Sequence, residues 1–284
     1  MSLDSVSLVE VGPRDGLQNE TRVIPTDTKI AFVDALSRTG VDEIEVSSFV
    51  APRKIPQLAD AEEVFRGIHR EPGVVYSALV PNVRGLDRAL SVEIDRAVVF
   101  TAASETFNRQ NIDATLQDSL KRFRGVVGKA AEAGVPVRGS VSTAFWCPYE
   151  GRVPPQAAHH VVEELLDLGV DHVTVSDTIG WASPKDIEEL FELLLKDLNP
   201  TCLSLHVHDT RGQGASNVRA AYSLGIRRFD ASTGGIGGCP FAPGAAGNID
   251  MSTLVRTLTG LGAAIRVNGA ALERARAIVL PFLK

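Results

Sequence analysis

His206 and His208 stand two residues apart in Leu203-Ser-Leu-His-Val-His-Asp209, and this spacing is the clearest chemical signal in the chain. On a β-strand, residues two apart project from the same face. The two imidazoles would therefore aim at one point, about 7 Å apart along the strand. The apolar and small residues before them mark the strand as buried. Two nitrogen donors at the end of a buried strand make half of a metal site, with oxygens to come from elsewhere. The competing reading is a pair of histidines satisfied by hydrogen bonds at a strand end. A second reactive group is Arg14-Asp15, inside Glu10-Val-Gly-Pro-Arg-Asp-Gly-Leu-Gln-Asn-Glu20. A third is Cys239, in a stretch with six glycines between Gly234 and Gly247.

These groups are scattered over more than 200 residues, so the elements that gather them matter. Short β-branched runs alternate with longer amphipathic stretches. Candidate strands are Ser5–Val11, Glu43–Ser47, Val74–Val80, Arg96–Phe100, Val135–Val141, His172–Ser176, Cys202–His208 and Arg228–Ala231. Most lack polar alternation, as expected of parallel strands covered on both faces. Helical patterns fall between them. Thr26–Arg38 opens with an N-cap signal at Pro25-Thr26-Asp27 and ends at Gly40. Leu116–Ala133, Pro155–Leu168 and Asn217–Leu224 each stop at a glycine. Ser183-Pro184 opens a helix through Leu198, with proline at the first helical position. Eight β–α units in about 250 residues predict a (β/α)8 TIM barrel. A doubly wound sheet is the alternative. Gly269–Val279 reads as one more helix with a short end, and residues 1–284 read as a single catalytic domain.

In such a barrel the chemistry sits at the C-terminal ends of the strands. Arg14 and Asp15 follow strand one, Glu45 lies on strand two, Arg138 on strand five and Asp177 at the end of strand six. His206 and His208 end strand seven, and the Cys239 loop follows strand eight. Buried charges are costly without partners, so their convergence calls for a cation or ligand. Asp15 with the two histidines makes a two-nitrogen, one-oxygen set that suits Mg²⁺, Mn²⁺, Fe²⁺, Co²⁺ or Zn²⁺, with open positions for substrate oxygens. The alternative for Arg14, Asp15, Glu45 and Arg138 is a structural ion network plugging the barrel mouth. Gly235-Ile-Gly-Gly-Cys-Pro240 begins like a dinucleotide loop. Pro240 stands where the third glycine belongs, however, and the segment follows the last strand, not the first. It reads instead as a mobile flap carrying a thiol. Cys202 reads as a packed core thiol, and Cys147 is ambiguous.

Composition narrows the function. With 29 Lys and Arg against 35 Asp and Glu, the net charge is −6, which argues against a nucleic-acid or anionic-membrane partner. No run of about 18 apolar residues is present to span a bilayer. The first residues read straight into a strand, with neither a signal h-region nor an Arg-rich transit segment. Three cysteines without a CxxC pair suggest reduced thiols, so a cytoplasmic protein is expected.

Taken together, six motifs resemble the 3-hydroxy-3-methylglutaryl-CoA lyase family. They are Glu10 to Glu20, Ser48-Phe-Val50, Cys147-Pro-Tyr-Glu-Gly151, Asp177-Thr-Ile-Gly180, His206-Val-His-Asp-Thr210 and Gly237-Gly-Cys-Pro-Phe-Ala242. The resemblance runs from about Ser5 to about Leu261. It implies a carbon–carbon lyase that releases acetyl-CoA and acetoacetate, the chemistry of leucine degradation and ketone-body metabolism. By the same resemblance, Asp15, His206, His208 and Asn248 match the ligands of a divalent metal, Mg²⁺ or Mn²⁺. Arg14 matches the group that neutralises charge on the thioester oxygen, and Cys239 matches the catalytic thiol. Glu45 and Asp177 match polar members of the catalytic cavity, while Gln18 and Ser48 match substrate neighbours. The partner implied is an acyl-CoA, and the assembly implied is a homodimer.

Val46, Ser140, Phe145-Trp146 and Ser176 depart from the lyase pattern at or near strand ends. They bear on pocket shape and leave the metal set alone. One reading is neutral repacking. The other is an altered acyl pocket, serving citramalyl-CoA or a longer 3-hydroxy-3-alkylglutaryl-CoA. A Claisen-condensing enzyme of the 2-alkylmalate synthase type is a further alternative, disfavoured by the Cys239 loop.

Overall fold

Covered on both faces, the eight Val- and Ile-rich runs close into one parallel ring in the computed structural model, which describes residues 5–237 and 247–283. The strands are β1 (Ser7–Glu10), β2 (Glu43–Ser48), β3 (Val75–Leu79), β4 (Arg96–Ala102), β5 (Val137–Ser142), β6 (His172–Asp177), β7 (Leu203–Val207) and β8 (Arg228–Ala231). Their order around the ring is β1–β8–β7–β6–β5–β4–β3–β2 and back to β1. This is the TIM barrel expected from the sequence, not the doubly wound sheet. No strand boundary departs from expectation by more than two residues. Every residue of β2, β6 and β7 is buried, the reason these strands carry no polar alternation.

The helices surround the ring: α1 (Thr26–Ser37), α2 (Ala61–Gly67), α3 (Val83–Leu90), α4 (Glu105–Ile112), α5 (Leu116–Glu132), α6 (Pro155–Asp167), α7 (Pro184–Leu194), α8 (Gly214–Ser223), α9 (Met251–Gly260) and α10 (Gly269–Val279). Two are fixed by capping boxes, Thr115 with Asp118 on α5 and Ser183 with Asp186 on α7. Each box satisfies two backbone N–H groups that the first helical turn leaves without partners. Gly134 and Gly169, after α5 and α6, take φ of +70° and +97°. This left-handed conformation ends a helix at little cost only for glycine.

Three helix ends differ from expectation. The Thr26 hydroxyl does not cap α1; it donates to Asp60 Oδ2 at 2.7 Å, and Pro25 occupies the cap position. α7 stops at Leu194, short of Leu198, and Asn199 then caps the turn Pro200–Cys202 that leads into β7. α8 begins at Gly214, three residues before Asn217, because Asp209 Oδ1 accepts the Gly214 N–H at 2.7 Å. The sequence pattern does not single out α2, α3 or α4. At seven or eight residues each, they span barely two turns, too short a stretch for period alone to separate helix from loop, and the ten-residue α9 is not singled out either. α10 follows the barrel as expected and packs on α1.

Closure depends on the seam between β1 and β8, where Ser7 to Glu10 pair with Arg228 to Ala231. Glu10 locks the upper end of this seam. Its carboxylate, fully buried, accepts from Gly12 N at 2.8 Å and Thr233 N at 3.0 Å, and from Thr233 Oγ1 at 2.5 Å. Burial pushes the Glu10 carboxyl up to about 7, although the hydrogen bonds from Thr233 and Gly12 pull the other way. A carboxyl raised on folding destabilises the native state once it must ionise. Its cost is absent below the ordinary value of 4.5 and grows as pH rises toward 7. Glu10→Gln, which keeps an acceptor for the two N–H groups, should therefore remove a pH-dependent loss of stability of about 3 kcal/mol at most. Calorimetric melting at pH 5 and pH 8 should show a larger difference for the native chain than for the variant; equal differences would refute the assignment.

Candidate active site

Arg14 and Asp15 sit in a single π-type turn, Gly12–Gly16, directly after β1. Gly16 N closes the turn on Val11 O at 3.2 Å. Such turns are rare and recur at functional sites. His206 faces inward from β7, and His208 lies just beyond its end. The segment from Gly247 to Asp250 is pinned alongside: Asp209 N donates to Gly247 O at 2.7 Å and Ile249 N to Val207 O at 3.1 Å. This pairing bridges His208 to Asn248. Asn248 Nδ2 in turn donates to Asp15 Oδ2 at 2.9 Å. Four groups from three distant stretches are thus brought together.

The cluster has the makings of a cation site. One ligand atom from each of Asp15, His206 and His208 lies within 4.8 Å of the others. The imidazole centres are 5.2 Å apart. His208 Nδ1 and Asn248 Oδ1 are buried and find no hydrogen-bond partner among the described residues. Buried donors and acceptors are normally paired, so two orphans in one cluster point to a missing partner. The charge balance agrees. The linked network holds carboxylates of Asp15, Glu43, Glu45, Asp171 and Asp230 against guanidiniums of Arg14, Arg96 and Arg138, leaving acid in excess. Burial would raise the Asp15 pKa, but Arg14, His206 and His208 outweigh it and bring the carboxyl to about 2. Burial, aided by His206, lowers His208 to about 4. At neutral pH Asp15 is anionic and His208 is neutral, the forms a divalent cation requires, whereas His206, whose acidic neighbours favour its protonated form, would have to release any proton on binding.

Arg14 Nε donates to Glu45 Oε1 at 2.5 Å and its Nη1 to Asp15 Oδ1 at 2.8 Å. Glu45 Oε2 accepts from Arg138 Nη2 at 2.5 Å, and Arg138 Nη1 reaches Asp230 Oδ1 at 3.3 Å. Asp230 Oδ2 lies 3.5 Å from His206 Nδ1. Burial works against protonation of His206, but Asp230 and Asp15 more than offset it and raise its pKa. Below Arg138 the network continues through Glu43 and Arg96 to Asp171. The ion network weighed as an alternative is therefore present, and it supports the cation cluster without replacing it.

Asp230 and Glu43 were not singled out in the sequence. Their only signal is a carboxylate within a short barrel strand, Glu43 two residues before Glu45 on β2 and Asp230 between Phe229 and Ala231 on β8.

A cavity of about 620 Å³ opens among these groups, lined by Arg14, Asp15, Gln18, Glu45, Arg138, His206 and His208. Another, of about 680 Å³, lies among Ser7, Asp42, Arg227 and Arg228 at the opposite end of the barrel, away from both histidines. Two expected site residues are placed elsewhere. Asp177 faces away from the cavity that its neighbours Ser176 and Thr178 line. Its oxygens accept from Trp181 N at 3.0 Å and Ala182 N at 3.1 Å. Burial raises its pKa to about 7 against these bonds. The physical reason for its orientation is strand alternation, which sends adjacent residues to opposite faces. Ser48 is buried, and its Oγ accepts from Val50 N at 3.3 Å without lining the cavity. Cys239 lies outside the described residues. Cys147 is buried, with Sγ 3.0 Å from Ser104 Oγ.

Comparison with known proteins gives a consistent picture. The HMGL-like family model matches residues 5–279. The cytoplasmic 3-hydroxy-3-methylglutaryl-CoA lyase of Homo sapiens is 44% identical over 263 residues, 93% of this chain and 71% of that protein. An HMG-CoA lyase structure from Brucella melitensis superposes with a TM-score of 0.96 at 42% identity, covering 98% of each chain. A second, from Acinetobacter baumannii in complex with coenzyme A and 3-methylmalate, gives 0.92 at 40% identity, covering 98% of this chain and 90% of that one.

The geometry makes Asp230 a positioning residue for His206. Carboxylates behind ligating histidines typically contribute about 10–100-fold to metal affinity. Asp230→Asn should weaken Mn²⁺ binding by a factor in that range, read by calorimetric titration, with the near-ultraviolet circular dichroism retained. Unchanged affinity would remove the assignment.

Proposed function

Because the chain belongs to the HMGL-like family, we propose that it cleaves 3-hydroxy-3-methylglutaryl-CoA into acetyl-CoA and acetoacetate. The observation that carries this reading is the meeting of Asp15, His206 and His208 beside Arg14 in one cavity at the C-terminal end of the barrel.

We assign Asp15, His206, His208 and Asn248 to hold the cation, and propose Mg²⁺ or Mn²⁺. When bound, such an ion supplies Lewis acidity that lowers the pKa of a hydroxyl placed against it. The rest falls to the chain. Arg14 is clamped on one side by Glu45 and on another by Asp15, so its guanidinium presents a fixed positive edge to the cavity. The substrate's C3 hydroxyl passes its proton to solvent, the C3 carbonyl forms as the C2–C3 bond breaks, and the electron pair of that bond passes to a thioester enolate. Arg14 stabilises the enolate oxygen, a contribution of about 3–4 kcal/mol for a well-aimed donor. C2 must then gain a proton, and Cys239 is the proposed acid. Asp177 is assigned to holding the loop after β6, since both its oxygens accept backbone N–H groups. Gln18 lines the cavity within reach of an acyl group. Ser48 supports the strand end nearby.

An acyl-CoA is the proposed partner, and a homodimer the proposed assembly. Among the described residues, no helix is long and apolar enough to cross a membrane. A cytoplasmic location is proposed, as named for the human relative.

Incubation of the purified protein with 3-hydroxy-3-methylglutaryl-CoA and Mg²⁺ or Mn²⁺ should yield acetyl-CoA and acetoacetate in equal amounts. Cys239→Ala should lower turnover by about 10²–10⁴-fold, the usual weight of a proton-transfer group, and leave Mn²⁺ affinity intact. Asp15→Asn should lose both. Absence of acetoacetate with either ion would overturn the activity, and full turnover by Cys239→Ala would exclude the thiol.

A further inference from the structure

Arg14, Lys54, Arg122 and Arg138 line the cavity together with the carboxylates of Asp15, Glu45 and Asp230. All three carboxylates are engaged by Arg14 and Arg138. Lys54 and Arg122 are left over. Both are exposed, and among the described residues neither side chain makes an ion pair or a hydrogen bond.

The positions of these two cations are built into the fold. Ser119, Arg122 and Phe123 stand at i, i+3 and i+4 on α5, so they share one helix face, and all three line the cavity. Ser119 Oγ lies 2.8 Å from Thr101 Oγ1 of β4, which turns that face toward the barrel. Ser119 and Phe123 are buried, which leaves Arg122 at the rim of the face. Asp118, one turn before Arg122, is committed elsewhere: its Oδ2 accepts from Thr115 Oγ1 at 2.7 Å within the capping box. Lys54 lies on the loop after β2, and the backbone there is tied down. Lys54 N donates to Ala51 O at 2.8 Å. Gln57 Nε2 donates to Glu20 O at 2.7 Å, and Lys29 Nζ bonds both Gln57 O and Asp60 Oδ1. None of these bonds uses the Lys54 ammonium. In ring order the wall between the two cations carries Asn82, after β3, and Asn111 on α4.

We infer that Arg122 and Lys54 take phosphate groups of the substrate's CoA moiety, and that they set the preference of this site for a CoA thioester over a pantetheine thioester. The inference rests on the acyl-CoA reading above and names the side chains that recognise the carrier. A chain of net charge −6 repels a polyanion over long range, so a phosphate-bearing substrate needs local cations that no protein carboxylate has claimed. Lys54 and Arg122 meet that need at this cavity. Phosphate oxygens accept charge-assisted bonds from both head groups, and a guanidinium can offer two parallel donors. Exposure fits the same assignment. Phosphates are strongly hydrated and are best held at the mouth, whereas deeper in the cavity they would meet Asp15, Glu45 and Asp230.

The test uses two 3-hydroxy-3-methylglutaryl thioesters, one of CoA and one of pantetheine, with Mn²⁺. The native protein should cleave the CoA ester at the lower KM. Arg122→Gln and Lys54→Gln should each reduce the CoA-to-pantetheine ratio of kcat/KM by about tenfold, the weight of one charge-assisted contact, and the change should lie in KM. An unchanged ratio in both variants would overturn the inference. So would an equal loss for both esters, which would place the two side chains against the acyl and pantetheine portions that the esters share. Ionic strength gives a second measurement, on the native chain. Raising it from about 0.05 M to about 0.5 M should increase KM more for the CoA ester than for the pantetheine ester. Equal sensitivity would overturn the inference even if neither variant folds. Cleavage of neither ester would overturn the lyase reading instead. Calorimetric titration of the native and variant proteins with CoA and with pantetheine then decides the phosphate contacts by the same ratio.

Discussion

A single guanidinium buried in the barrel organises everything above it. Arg138 is 1% exposed, and an unpaired charge at that depth would be very costly. Its Nη2 holds Glu45 and its Nη1 holds Asp230. Glu45 in turn fixes Arg14, and Asp230 faces His206. The proposed enolate stabiliser and one proposed metal ligand are thus two links from the same cation. A buried ionic network of this kind is a poor source of stability, since apolar residues of similar volume can do as well. Breaking it by removing one partner is another matter, costing about 3–5 kcal/mol. The physical sense of the network is orientation: short, charge-assisted bonds leave the side chains at the barrel mouth few alternative rotamers.

Backbone geometry supplies the second constraint. Arg14 and Asp15 ride on a five-residue turn whose position is set by the seam of the barrel. Val11 N bonds Ala231 O at 2.9 Å, and Glu10 ties Gly12 to Thr233. Asn248 is placed by a short antiparallel bridge onto the end of β7. Neither device depends on the charges it positions. The scaffold fixes the backbones, the Arg138 network fixes the side chains, and the cluster of Asp15, His206 and His208 is where the two meet.

Much of this was legible in one dimension. Buried parallel strands need continuous β-branched runs, so eight of them could be read and their closure inferred. The spacing of His206 and His208 gave their shared face, because strand alternation is local. Short helices such as α2 and α4 were not legible, since two turns are too short a stretch for period alone to separate helix from loop. Asp177 shows the limit of motif reading. It adjoins cavity residues on both sides, yet one step along a strand turns a side chain to the opposite face, and there Trp181 and Ala182 engage it.

The sequence by itself determined the element types, the ring they form and the donor-rich ends of its strands, because those follow from periodicity and side-chain chemistry over a few residues. Tertiary structure alone decided which charges touch. Asp230 and Arg138 are 92 residues apart, and Arg138 and Glu45 are 93 apart. Only closure of the ring brings them within hydrogen-bond range. The cavity is likewise assembled from elements far apart in the chain, among them the turn after β1, β4, α5 and β7. No local rule distinguishes a residue that packs against a neighbour from one that faces a space, because the space exists only once the opposite wall is in place.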